Sequence, residues 1–244
     1  MDCDAHLISW DAGSGSCRCL VVDGEGRQMA LTRDDVPLVR AEDVPGSLAF
    51  DPQQMWDVFV RLTREALASL PAREIAALST TSFRDGVVFL DCEGEAVYAG
   101  TNRDARSAAQ GFDMAQAYGD AIYNRTGRWP LGTDGAAHLL WMRRFRPEVY
   151  QRIDRKLMVS DWLVFRLCGA HSSEPSNASS CLLLDVRESR WSMELARLLD
   201  LPVKFLPPKN CRISVGGWKI TASSLMNLCG GHTVYGMGSN TLRV

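Results

Sequence analysis

Leu7-Ile8-Ser9-Trp10-Asp11-Ala12-Gly13-Ser14-Gly15-Ser16-Cys17-Arg18-Cys19-Leu20-Val21-Val22 holds two apolar runs parted by a small polar segment. Residues 7–10 predict a strand that stops at the turn 11–16, and residues 19–22 predict the strand that returns. Asp23-Gly24-Glu25-Gly26 is a second turn, leading to a third strand over residues 28–31. Glycine-tipped turns at this spacing join antiparallel neighbours, whereas parallel strands need a long crossover. The chain therefore opens on a three-stranded antiparallel meander, and not on a strand–helix–strand unit.

Further along, Asp51-Pro52 reads as a helix cap followed by proline in the first turn. Met55, Phe59, Leu62 and Ala66 then recur at helical spacing. A buried strand is expected over 75–81, and strands over 87–90 and 96–98 flank the turn Cys92-Glu93-Gly94. Helical patterns cover 104–119 and 135–145, with shorter ones at 148–152 and 160–167. Thr221 heads a possible short helix, and residues 232–235 a strand that ends in Gly236-Met237-Gly238-Ser239-Asn240. Strands come early and helices late, so the class is mixed α/β, a mixed sheet flanked by helices.

With 244 residues the chain can bury a substantial core, and 27 basic against 29 acidic side chains leave no electrostatic footprint for nucleic acid. The apolar runs fall far short of the roughly 20 residues that span a bilayer, and the acidic start lacks the basic and apolar regions of a signal peptide. The expectation is a cytoplasmic chain with neither nucleic-acid nor membrane partner. The eight cysteines are scattered and the four histidines lie far apart, which reads as buried thiols and no zinc site. Cys17 and Cys19, two apart on a strand, face the same side and are badly placed to bridge each other.

Three groups can carry chemistry. At the first turn, Gly13 and Gly15 allow backbone amides close to an anion, Ser14 and Ser16 supply hydroxyls, and Arg18 supplies a planar fork. Asp11, at the end of the strand, can hold Mg²⁺ through water. The same stretch also reads as an ordinary Gly/Ser hairpin. Arg84-Asp85, beyond the strand at 75–81, suits a polyol because the pair both donates to and accepts from neighbouring hydroxyls; alone it reads first as an exposed charged turn. In Thr101-Asn102-Arg103-Asp104-Ala105-Arg106, Asp104 reads as a helix cap and the arginines as a solvated face.

Taken in order, these pieces resemble the FGGY carbohydrate kinases. The resemblance rests on Asp11-x-Gly13-Ser14-x-Ser16-x-Arg18, Asp23, Asn102-x-Asp104-x-Arg106, Thr126-Gly127, Leu139-Leu140-Trp141 and Pro147-Glu148. It continues through Ser160-Asp161-Trp162-Leu163, Leu167-x-Gly169, Ser176-Asn177-Ala178-Ser179 and Leu184-Asp185 before Trp191. It is similar to xylulokinase and glycerol kinase. Residues 43–51, 82–88 and 174–178 look most like the autoinducer-2 kinase branch, whose substrate is a linear five-carbon dihydroxy dione.

The resemblance implies an actin-like, ribonuclease-H-like fold for residues 1–208, with ATP and Mg²⁺ as cofactors and a small sugar or polyol as substrate. It implies that Asp11, Gly13, Ser14, Ser16 and Arg18 surround the nucleotide phosphates and the metal. Arg84 and Asp85, with Asp104 near them, would contact substrate hydroxyls. In the family a second domain of similar size holds the adenine; its absence from this sequence implies that a separate C-terminal half is needed. Residues 209–244 match loosely and read as a degenerate or truncated end of the same domain. Ser239 stands where the family places its general base, an Asp, so the chain alone is expected to be inactive. A non-catalytic sugar-binding or partner-binding remnant is the alternative.

Overall fold

A computed structural model of the chain describes residues 5–71 and 75–206. The strands, in order, are β1 (His6–Ala12), β2 (Ser16–Val22), β3 (Gln28–Asp35), β4 (Leu38–Val39), β5 (Ala49–Phe50) and β6 (Ile75–Ser82). They continue with β7 (Val87–Leu90), β8 (Ala96–Gly100), β9 (Arg155–Met158), β10 (Leu184–Asp185) and β11 (Arg190–Trp191). The helices are α1 (Pro52–Ala68), α2 (Ala108–Thr126), α3 (Gly135–Phe145), α4 (Pro147–Arg152), α5 (Val159–Cys168), α6 (Pro175–Ala178) and α7 (Met193–Leu198).

The opening meander forms as the sequence predicts, and its strands run longer than their apolar cores. β1, β2 and β3 pair antiparallel in succession. β6 then adds to the other side of β1 in parallel, giving a four-stranded sheet in the order β3-β2-β1-β6. Side chains alternate across a strand, so Ile8, Trp10 and Ala12 share the buried face with Cys17, Cys19 and Val21. That face is covered by α1. Asp51 caps α1 by accepting from the amides of Gln53 and Gln54 at 2.8 and 3.2 Å. The helix buries Met55, Trp56, Phe59, Leu62, Thr63 and Ala66. Phe59 stacks on Trp10 at 4.9 Å between ring centroids, and the Trp10 indole N–H donates to Thr63 Oγ1 at 2.9 Å. A buried Phe of this kind stabilises by about 3 kcal/mol, so Phe59→Ala would loosen the whole sheet face.

A second sheet, in the order β4-β5-β8-β7-β9, is antiparallel throughout. All four residues of β7 are buried, because the strand is walled on both faces. Val88 and Leu90 belong to the core shared with α1 and α5, while Val87 and Phe89 belong to a second core with α2 and α3. This continuous apolar run is what a strand buried on both faces requires.

The helix expected over 104–119 begins instead at Ala108 and runs to Thr126. Asp104 does not cap it. Its carboxylate is engaged by Tyr98 and Arg106, and its Oδ1 accepts the Arg106 amide in a local turn. The far end is set by Gly127, at φ +69°, a left-handed position that glycine adopts without a Cβ penalty. No helix among the described residues is long and apolar enough to cross a membrane. The expectations placed on residues 207–244, including Thr221, the strand at 232–235 and Ser239, lie outside the described residues.

Candidate functional site

The tip of the first hairpin is Gly13-Ser14-Gly15, closed by the Gly13 amide donating to the Ser16 carbonyl at 2.8 Å. Gly13 is required by this closure, since a Cβ there would lie 2.8 Å from the Ser16 carbonyl oxygen. At Gly15 a Cβ would meet nothing within 4 Å, so the tip is open to solvent on that side. Asp11 and Arg18 sit directly opposite each other in the β1–β2 register, and Arg18 Nη1 donates to Asp11 Oδ2 at 2.7 Å. Both side chains are about two-fifths exposed, 37% and 43%. The carboxylate and the guanidinium therefore stand together at the turn, both partly open to solvent. Ser14 is exposed at the tip, whereas Ser16 is buried at the start of β2.

The parallel pairing of β1 with β6 brings Arg84-Asp85 to the same end of the sheet. Asp11 is opposite Thr81 and Ala12 opposite Ser82, and the Phe83 amide donates to the Ala12 carbonyl at 2.8 Å. The chain then turns through Arg84 and Asp85. Arg84 reaches outward, its side chain 80% exposed, with Nε 3.9 Å from Asp85 Oδ2. Asp85 is buried and adopts φ +66°, in the left-handed region that Asp tolerates better than most residues. Its amide donates to Ser180 Oγ at 3.2 Å, and its carboxylate is ion-paired to Arg128 Nη1 at 2.9 Å.

The turn is buttressed by the segment that follows α5. Asn177 Nδ2 donates to Ser82 Oγ at 2.9 Å and to Ser160 Oγ at 3.0 Å. The Ser160 amide donates to Ser82 Oγ at 3.1 Å. Thus the Ser176–Ser179 stretch serves to fix the Arg84-Asp85 turn against the start of α5.

Sequence reading missed three residues here. Arg128 also reaches Asp134 Oδ1 with Nη2 at 3.5 Å. Asp134 is fully buried, and burial pushes its carboxyl up to about 7, while the Leu131 amide and Arg128 pull it down. His138, one helical turn on, places Nδ1 3.0 Å from the Asp134 carbonyl. Its Nε2 lies 3.9 Å from Asp104. Asp104 does not join the hairpin or the Arg84 turn at the surface. Its oxygens accept from Tyr98 Oη at 2.9 Å and from Arg106 Nε, and Arg106 lies over the Tyr98 ring at 4.7 Å. Burial opposes ionisation there, yet His138 and Arg106 outweigh it and hold the Asp104 carboxyl well below the usual range. Asp23 lies at the opposite end of β2, where it organises the second turn by accepting from the amides of Glu25 and Arg27.

Residues 6–228 match the N-terminal domain of the FGGY family of carbohydrate kinases, and the chain belongs to that family. It is 34% identical over 209 residues to the autoinducer-2 kinase of Salmonella typhimurium strain LT2, covering 83% of this chain and 39% of that protein. It is 32% identical over 231 residues to the autoinducer-2 kinase of Escherichia coli strain K12 / DH10B, covering 92% of this chain and 43% of that one. The chain thus spans about two-fifths of the length of the curated relatives it matches. Among solved structures, xylulose kinase from Rhodospirillum rubrum superposes with a TM-score of 0.81 at 22% identity, over 93% of this chain and 48% of that one. Glycerol kinase from Plasmodium falciparum with ADP gives a TM-score of 0.72 at 20% identity, over 81% and 41%. The fold is the actin-like, ribonuclease-H-like fold of these sugar kinases.

Proposed function

We propose that the chain is the substrate-binding and phosphate-binding half of an ATP-dependent kinase. It would serve phosphoryl transfer to a hydroxyl of a small sugar, polyol or dihydroxy dione. The observation that carries this reading is the hydrogen bond from the Phe83 amide to the Ala12 carbonyl, which sets the glycine hairpin beside the Arg84-Asp85 turn. An anion cradle next to a donor–acceptor pair for hydroxyls is what transfer between a phosphate and an alcohol needs. The identity to autoinducer-2 kinases supports the dihydroxy dione over other acceptors.

The residues divide the work as follows. Arg18 and the tip at Ser14 and Gly15 bind phosphate oxygens, and Asp11 orients the metal through its waters. ATP supplies the transferable phosphoryl group, with Mg²⁺ to offset its charge. Asp85, fixed by Arg128, accepts a substrate hydroxyl, and exposed Arg84 donates to another. Ser239 gives no carboxylate at the family's general-base position, and loss of such a base costs about 10²–10⁴ in rate. The remaining part of the cleft comes from a C-terminal kinase half, without which water is not excluded from the reacting phosphate. Ser239 also favours a second reading, a sugar-binding or partner-binding chain without turnover.

Calorimetry with Mg²⁺ and a non-hydrolysable ATP analogue tests the phosphate role, with Arg18→Ala as control. Steady-state assays with polyols, ketoses and the dihydroxy dione test turnover, with and without a C-terminal half. We expect weak, Arg18-dependent analogue binding and no turnover by the chain alone. Turnover by the isolated chain at about 1–100 s⁻¹, the range of kinases, would overturn the need for a second half. Analogue binding indifferent to Arg18→Ala would overturn the hairpin's role.

A further inference from the structure

Arg128 is delivered to Asp85 by the connection between α2 and α3, and that connection is held along its length. Its first anchor is the Arg128 amide, which donates to Oγ1 of the buried Thr126 at 3.1 Å. Gly132 lies so close to α2 that a Cβ on it would stand 2.3 Å from Ala108 Cα. At the far end the Leu131 amide donates to Asp134 Oδ2, while Asp134 Oδ1 faces Arg128 Nη2 at 3.5 Å. A buried carboxylate therefore holds the guanidinium from behind.

Asp85 needs a firm partner. Its φ of +66° is a conformation that persists only where the surroundings over-determine it. The Asp85 amide is fixed on Ser180 Oγ at 3.2 Å, and Oδ1 stands 2.9 Å from Arg128 Nη1. That contact is an ion pair without an aligned hydrogen bond, so charge holds it. Oδ1 is sealed from solvent, yet 8% of the Asp85 side chain remains open. Oδ2 lies toward the exposed Arg84, whose Nε is 3.9 Å away. The carboxylate is thus oriented, with one oxygen turned to the interior and the other to the exposed guanidinium.

We propose that Arg128 is a positioning residue for sugar binding: it pins Asp85 Oδ1 inward, so that Oδ2 is presented beside Arg84 to a substrate hydroxyl, and Asp134 keeps Arg128 in place. Arg128 itself does not touch the sugar. This rests on the reading of the Arg84-Asp85 turn as the sugar contact, and it adds a second pair of residues, remote in sequence, on which affinity depends.

The test is titration calorimetry of the full chain with D-xylulose and with the dihydroxy dione, run as a double-mutant cycle on Arg128→Gln and Asp85→Asn. Asparagine keeps the shape of Asp85 and a carbonyl oxygen that accepts a hydroxyl. We expect Arg128→Gln alone to weaken sugar binding at least about tenfold. In the Asp85→Asn background it should change binding by less than about twofold. A direct contact from Arg128 to the sugar, or a general loosening of the fold, would persist in that background. Arg128→Lys keeps the charge and should weaken binding less than Arg128→Gln; it also takes the place of Arg128→Gln in the cycle should that variant not fold. Hydrogen exchange supplies a readout free of sugar. The Asp85 amide should exchange at least about tenfold faster in the Arg128 variant, while the Phe83 amide, bonded to the Ala12 carbonyl, keeps its rate. Sugar binding that Arg84→Ala weakens but both Arg128 variants leave unchanged would overturn the positioning role alone. An equal loss in both backgrounds, or unaltered Asp85 exchange, would do the same. Absence of saturable binding of either probe by the unaltered chain would overturn the sugar reading of the turn, and this inference with it.

Discussion

Asp85 and Asp134 share a single guanidinium: Arg128 meets Asp85 Oδ1 at 2.9 Å with one terminal nitrogen and Asp134 Oδ1 at 3.5 Å with the other. Both carboxylates are buried. Removing one partner of a buried pair is costlier than the pair is worth, because the remaining charge is left unpaired. Arg128→Gln is therefore expected to destabilise the fold by about 2–4 kcal/mol at pH 8, measured by urea unfolding. Adding Asp134→Asn should restore part of that loss, since one of the two orphaned charges is then gone.

A pH dependence follows from two buried acids. Burial pushes the carboxyls of Asp134 and Asp161 from their ordinary 3.8 up to about 7. For an acid raised in this way, the native state holds a proton that the unfolded chain has released. Their contribution to stability is full below about pH 4, falls as pH rises, and is lost above about 7. Asp161→Asn keeps the shape and removes the charge. It should flatten this slope between pH 4 and 7 and stabilise the chain at pH 8 by about 1–3 kcal/mol, read from chemical denaturation at several pH values.

Arg84 and Asp85 are adjacent yet should separate cleanly in mutagenesis. Arg84 is 80% exposed at its side chain, so Arg84→Ala should change stability by less than about 0.5 kcal/mol. Any loss of sugar binding in that variant then reports a contact. Asp85→Ala abandons the Arg128 pair and should lower the thermal midpoint as well. Differential scanning calorimetry alongside sugar titration distinguishes the two.

Two glycines of α2 should respond in opposite ways to alanine. A Cβ at Gly111 would lie 2.4 Å from the backbone nitrogen of Gly132, which cannot move without shifting the loop. A Cβ at Gly119 would meet the ring of Trp129 at 2.5 Å, and that side chain is half exposed and able to swing away. Alanine gains about 1 kcal/mol of helix propensity over glycine at either position. Gly111→Ala should therefore lower the melting temperature, whereas Gly119→Ala should leave it unchanged or raise it.

Local chemistry made part of this fold legible. Asp51-Pro52 marked the start of α1, and the span of α3 from Gly135 to Phe145 followed from its apolar spacing. The hairpin tip was readable because glycine and serine between apolar runs permit little else. Where the outcome depended on distant contacts, the residues alone were silent. β9 carries Arg155 and Lys156, and a strand with Lys156 only 1% exposed is not what its composition suggests. Asp104 looked like a cap and became a buried acceptor, because Tyr98 and Arg106 fold back upon it. Arg128 and Asp134 were the hardest to find, since neither is close in sequence to Asp85. Their one local signal was position: Arg128 follows the helix stop at Thr126-Gly127, and Asp134 precedes Gly135, the first residue of α3.

The hairpin and the Arg84 turn are clamped together by the β1–β6 ladder, in which Asp11 lies opposite Thr81 and Ala12 opposite Ser82. Deleting a single residue from β1 or β6 would turn every following side chain to the other face, trading Asp11 for a buried neighbour and breaking the site without touching either turn. The two strands thus set a ruler that an insertion or deletion within either of them would break.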